Sequence, residues 1–187
     1  MMEQKEDQLL LVDLYDNVTG YAFKSEAHRR PMLHRAFSVF LFRGEEMLLQ
    51  QRAEEKYHSG GLWSNACCSH PRPGEKLEEA VRRRTMMEVG ADCPMTEVFS
   101  FVYCHRFHEQ LYEYEFDHVF VGEYDGPLRA EPTEVAQLRW VPIPQLEQEL
   151  LTHPEQFSVW FLTAAPKVLA LRREQGRNGE QTGKETD

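Results

Sequence analysis

The run Arg35-Ala-Phe-Ser-Val-Phe-Leu-Phe42 is apolar at nearly every position. A strand with one wet face alternates apolar and polar residues, so an unbroken apolar run reads as a central strand covered on both faces. Gly44-Glu-Glu reads as a hairpin turn, with Met47 to Arg52 as the return strand. Further strands are expected at Gln8–Tyr15, Val98–Tyr103, Leu111–Tyr124 and within Glu131–Trp140. Asp16, Asn17 and Gly20 read as a turn, and Lys24 to Pro31 as a polar connection. Helices are expected from about Glu75 to Val89, closed by Gly90, then from Pro142, and from Phe157 to Arg173 with Pro166 as a kink or break. The pattern predicts an α/β (α+β) fold, a mixed sheet sandwiched between helices, as a single domain over residues 1–174. Residues 175–187 are polar and Gly-containing and read as a disordered tail.

The chain has 187 residues, enough for one full core. Its formal charge of -10, with no basic cluster longer than three residues, argues against nucleic acid as a partner. The polar, acidic start (Met-Met-Glu-Gln-Lys-Glu-Asp) is unlike a signal peptide, and no apolar run approaches a membrane span, so no membrane partner is expected. Cys67, Cys68, Cys93 and Cys104 form no disulfide framework, which points to the cytoplasm.

Four features carry chemistry. Gly61-Leu-Trp-Ser-Asn-Ala-Cys-Cys-Ser-His-Pro71 sets two cysteines and a histidine just before chain-breaking Pro71, Pro73 and Gly74, between a strand and a helix. Cys68 is a candidate acid or nucleophile, or simply a small buried apolar residue; Cys67 reads as structural. On the following helix Leu77 and Val81 mark a core stripe whose continuation carries Arg84 and Glu88. Those charges form either a buried ion pair or the wall of a site. In the strand from Leu111, Glu113, Glu115 and Asp117 share one face, which reads as a solvated edge. His28, His34 and His70, taken with Glu113 and Glu115, would suit a borderline divalent metal such as zinc or manganese, though the ligands come from three separate places.

Several motifs together resemble the type I isopentenyl-diphosphate delta-isomerases. They are Lys24-x-x-x-His28, Leu33-His-Arg-Ala-Phe-Ser38, Trp63-Ser-Asn-Ala-Cys-Cys-Ser-His-Pro71, Arg83-Arg-x-x-x-Glu88-x-Gly90, Tyr103, Glu113-Tyr-Glu115 and Phe157-Ser-x-Trp160. The resemblance runs from about Leu9 to Trp160 and beyond, and implies a Nudix-like fold. Nudix hydrolases carry a helix ending Arg-Glu-x-x-Glu-Glu-x-Gly. In that register this chain has Arg84 and Met87 where two glutamates are expected, and Ser69 for the opening glycine. One remaining carboxylate is a poor hydrolytic magnesium cage. The fold is therefore expected without the hydrolase activity.

The resemblance implies that isopentenyl diphosphate and dimethylallyl diphosphate are interconverted in isoprene biosynthesis. Protonating the terminal methylene gives a tertiary carbocation at C3, and loss of a C2 proton completes the isomerisation. It implies Cys68 on one side of the alkene, Glu115 assisted by Tyr103 on the other, and Trp160 stabilising the cation. His28, His34, His70, Glu113 and Glu115 would bind one Mn²⁺ or Zn²⁺. Glu88 and the main-chain carbonyl of Cys68 would help hold Mg²⁺, and Lys24, Arg52, Lys56 and Arg84 would take the diphosphate. His28 and His34 are six apart, where some relatives have a longer gap. The expected partner is a small allylic or homoallylic diphosphate, and the expected state a monomer or weak dimer. The competing readings are a Nudix diphosphohydrolase and a non-catalytic metal- or nucleotide-binding module.

Overall fold

The computed structural model describes the backbone of residues 8–182 and the side chains of residues 8–174. In chain order the elements are β1 Gln8–Val12, β2 Val18–Phe23, α1 Lys24–Arg29, β3 His34–Arg43 and β4 Glu46–Arg52. Two short strands, β5 Trp63–Ser64 and β6 Cys67–Ser69, precede α2 Leu77–Val89. Then follow β7 Met95–His108, β8 Leu111–Glu123, β9 Val135–Pro142, α3 Ile143–Thr152 and α4 Val159–Thr182.

The sheet is organised around β3. It runs antiparallel to β1, β4 and β6 and parallel to β8, which pairs antiparallel with β7. The expected mixed sheet is present. Successive residues of a strand point to opposite faces, and β3 uses both. Phe37, Val39 and Leu41 pack with Val81 and Val89 of α2, whereas Phe40 and Phe42 pack with Phe161 and Leu169 of α4. Each such side chain taken fully out of water contributes roughly 1.5–3 kcal/mol.

The described structure departs from the sequence expectation in several places. The segment read as a turn and polar connection is the strand β2 followed by the short helix α1. Helix α1 has no side-chain cap to announce it, and is held by burial of Ala27 and His28. Residues before Val135 form a turn, with Glu134 N–H donating to Glu131 O, and β9 begins inside the expected segment but runs on to Pro142. Pro166 does not break α4, because buried Ala164, Ala165, Val168 and Leu169 hold the helix on the core across it. That helix continues to Thr182, past the point where the tail was expected to begin; residues 183–187 lie outside the described residues. Gly90 ends α2 at φ 75°, where any Cβ would lie 3.0 Å from Arg129 N, so glycine is required. Among the described residues no helix is long and apolar enough to cross a membrane.

Candidate active site

Strand register assembles the site. His34 on β3 lies opposite Glu115 on β8, and Glu115 lies opposite Tyr103 on β7. Ser38 lies opposite Cys68 on β6. Four strands therefore bring an imidazole, a carboxylate, a phenol and a thiol onto one face, the face that Phe40 continues into the α4 core. Glu113, Glu115 and Asp117 are on this inner face and are buried, at 4%, 8% and 0% exposure. The solvated-edge expectation for them is thereby overturned: β8 is flanked by β3 and β7, and its acidic face looks inward.

A cavity of about 340 Å³ opens here, lined by Lys24, Arg52, Lys56, Cys68, Arg84 and Trp160 among others. His70, Tyr103, Glu113 and Glu115 also line it. Every residue assigned from sequence to the proton-transfer and diphosphate roles thus borders one space. Glu88 does not line it. Its Oε1 accepts from Arg84 Nη2 at 2.5 Å and its Oε2 from Gln50 Nε2 at 3.4 Å. The helix stripe is therefore both things the sequence allowed, a buried ion pair whose arginine faces the cavity.

The thiol of Cys68 donates to Asn65 Oδ1 at 3.1 Å and lies 3.5 Å from Ser38 Oγ, which donates to Asp117 Oδ2 at 2.8 Å. Desolvation, then the charge of Asp117, push this thiol up to about 12. It rests as a thiol and not as a thiolate. On the same face, Tyr103 Oη donates to Glu115 Oε2 at 2.5 Å and His70 Nε2 lies 2.9 Å from Glu115 Oε1. Burial opposes ionisation of Glu115, but the imidazoles of His34 and His70 outweigh it and hold the carboxyl well below its usual range. Trp160 is anchored by its Nε1–H to Ser64 Oγ at 2.8 Å, and the Arg52 guanidinium lies 5.0 Å over its ring.

Two sets of donors lie close enough to share one cation: His28, His34 and His70, and His34, Glu113 and Glu115. The decisive detail is a set of buried atoms without partners, His28 Nε2, His34 Nε2 and Glu113 Oε2. Nδ1 of His34 lies 2.8 Å from the carbonyl of Met32. A carbonyl only accepts, so that nitrogen carries a proton, and in the neutral ring Nε2 is the atom with the lone pair. His28 Nε2 and Glu113 Oε2 face each other at 3.5 Å. Burial, chiefly, lowers His28 to about 2 and His70 to about 4, leaving neutral imidazoles. Burial and the neighbouring charge of Glu115 raise Glu113 well above the usual carboxylate range. Buried imidazole nitrogens without partners beside crowded carboxylates fit a divalent cation.

A NUDIX domain model matches residues 32–163. Among solved structures, one from Deinococcus radiodurans aligns with TM-score 0.65 at 20% identity, over 79% of this chain and 90% of that one. A MutT protein from Methanosarcina mazei aligns with TM-score 0.56 at 19% identity, over 70% and 88%. These establish the fold alone. Isopentenyl-diphosphate Delta-isomerase 2 of Aromatoleum aromaticum is 46% identical over 172 residues, 91% of each chain. Isopentenyl-diphosphate Delta-isomerase of Burkholderia multivorans is 48% identical over 157 residues, 83% of this chain and 89% of its own. This chain belongs to the isopentenyl-diphosphate Delta-isomerase family.

For a member of the isopentenyl-diphosphate Delta-isomerase family, sequence reasoning named residues that the fold gathers around one cavity but missed several of their neighbours. Ser38, Ser64 and Asn65 buttress Cys68 and Trp160. Glu134 pairs with both Lys56 and Arg84. Tyr57 and His58 reach His28 and Glu113. Ser38 and Asn65 stood inside motifs already singled out. Glu134, Tyr57 and His58 lie in turns and loops, where no periodicity marks a side chain as inward.

Proposed function

We infer that this protein interconverts isopentenyl diphosphate and dimethylallyl diphosphate by adding a proton to the alkene and removing another through a carbocation-like state. One observation carries the assignment of groups: Cys68 and the Tyr103–Glu115 pair line the same cavity as four cationic side chains and an anchored indole. Lys24, Arg52, Lys56 and Arg84 bind the diphosphate by charge and hydrogen bonding, so an acidic protein can still take an anion. The protonated Cys68 thiol and the Glu115 carboxyl exchange protons with the carbon skeleton, Tyr103 fixing the Glu115 oxygen from which a proton leaves or to which it returns. Trp160 stabilises positive charge at C3 through its ring, and the walls keep water from trapping it.

His28, His34, His70, Glu113 and Glu115 would hold one Mn²⁺ or Zn²⁺, whose charge would keep both carboxylates ionised and in place. Glu88 with the Cys68 carbonyl would help hold Mg²⁺ against the diphosphate, which requires Arg84 to exchange its contact with Glu88 for one with substrate. All these groups come from one chain, so the site needs no second subunit, which is compatible with the monomer or weak dimer we expect. Four free cysteines suit the reducing cytoplasm.

The hydrolase reading is disfavoured by Arg84, which neutralises Glu88, and by Met87, which stands 43% exposed where a second glutamate would be needed. The test is proton NMR of isopentenyl diphosphate in deuterated water with metal-stripped protein, adding magnesium alone or with zinc or manganese. Deuterium entering C2 and the methyl groups, together with dimethylallyl diphosphate, is the expected outcome only with metal restored. Released phosphate would revive the hydrolase, and unchanged substrate with a folded protein would favour a binding module.

A further inference from the structure

The loop from Ala53 to Leu62 borders the cavity through Lys56, Tyr57 and His58, in a conformation its backbone tightly restricts. Ala53 N–H donates to Glu134 O at 2.9 Å and Gly61 N–H to Arg52 O at 3.0 Å. Ser59 adopts φ 53°, an unfavourable value for a residue with a Cβ. A Cβ on Gly60 would lie 2.3 Å from Glu54 O. The loop delivers two consecutive side chains to two different donors of the histidine–carboxylate cluster.

Tyr57 Oη lies 2.7 Å from His28 Nδ1. His58 Nε2 lies 2.7 Å from Glu113 Oε1. In each case the loop engages the atom that the cluster does not use, and the other atom, His28 Nε2 or Glu113 Oε2, is left buried and unpartnered. With a cation at Oε2 Glu113 would be an ionised carboxylate, which only accepts, so His58 would be the Nε2–H tautomer there, and its Nδ1, 3.2 Å from Ser59 Oγ, could accept from that hydroxyl. The His58 ring is itself clamped, stacked on Phe107 with centroids 4.4 Å apart and meeting Trp160 edge-on at 5.8 Å.

We propose that Tyr57 and His58 are positioning residues of the cation centre, orienting His28 and Glu113 so that Nε2 of the one and Oε2 of the other converge. This rests on the reading that the cluster holds a divalent cation. Such supporting hydrogen bonds typically govern metal affinity by about 10–100-fold.

The test separates hydrogen bonding from packing. H58F keeps a ring against Phe107 but has no donor; H58Q loses the ring but keeps an N–H. Zinc affinity is measured by competition with a chromophoric chelator, and the cobalt-loaded proteins are compared by visible absorption, with circular dichroism as the fold check. The expected result is zinc affinity lower by about 10–100-fold in H58F with an altered cobalt spectrum, recovery toward the parent in H58Q, and a loss in the same direction for Y57F. H58F equal to the parent in affinity and spectrum, or H58Q impaired while H58F is not, would overturn the proposal and leave the centre standing. A parent protein that takes up neither zinc nor cobalt would overturn both.

Discussion

Tyr103 Oη donates to Glu115 Oε2 at 2.5 Å from the strand position directly opposite it. Because the two residues are cross-strand neighbours, the sheet itself sets the distance, and no loop has to close to make the contact. With His70 on the other oxygen, both lone-pair edges of Glu115 are directed by fixed groups.

Replacing Glu115 by Gln, or Cys68 by Ala, is expected to lower isomerisation by roughly 10²–10⁴-fold or more, the range of general acid–base groups. Tyr103→Phe should cost less, because it removes an aid to Glu115 and not the proton carrier itself. Initial rates by NMR with far-ultraviolet circular dichroism check this. Turnover like the parent's in E115Q or C68A would remove that residue from the proton path.

Zinc or manganese should stabilise the folded chain. A ligand bound only by the native state at about a hundred times its dissociation constant adds about 2.7 kcal/mol. Calorimetry should show a higher melting temperature on adding zinc, reversal by a chelator, and a much smaller gain in His34→Asn, which removes one of the unpartnered imidazole nitrogens.

Arg84 and Glu88 should be strongly coupled. Glu88 is 3% exposed and burial raises its pKa, so removing Arg84 leaves a carboxyl without its cation. Arg84→Met alone is expected to destabilise by about 3–5 kcal/mol, and Glu88→Gln added to it should recover part of that loss. Urea midpoints of the parent, both single variants and the double variant give the coupling directly.

Glu134 should shape the acid limb of stability. Burial disfavours its charge, but Lys56 and Arg84 more than offset this and hold the carboxyl below its ordinary value. A depressed carboxylate adds stability that is complete above its unfolded pKa of about 4.3 and vanishes as pH falls through the folded value. Glu134→Gln is therefore expected to be less stable at pH 7, by on the order of 1 kcal/mol. The gap should close as pH falls below about 4, which melting curves from pH 7 to 3 would reveal.

Much of the architecture could be read from β3 alone, since eight successive residues with hardly a polar break leave no wet face. The acidic strand was harder. Alternation at Glu113, Glu115 and Asp117 says that two faces differ, but which one looks inward is decided by β3 and β7 on either side. The six-residue α1 was hidden because fewer than two turns carry too little periodicity to register, and Phe23 before it supplies no cap. The motif residues were legible as chemistry. Their supports in loops were not, because a loop side chain is aimed by long-range contacts such as His58 with Glu113.

The parallel pairing of β3 with β8 places residue 34 beside residue 115. During synthesis, a chain that has not yet reached Leu111 already carries His28, His34 and His70 but neither Glu113 nor Glu115. Contacts so distant in sequence form only after a large loop has closed. The imidazoles must therefore wait, loosely held, until β8 docks. If a cation is to sit among all five donors, it can do so only once β8 has paired with β3, so full coordination would follow that step of assembly and not precede it.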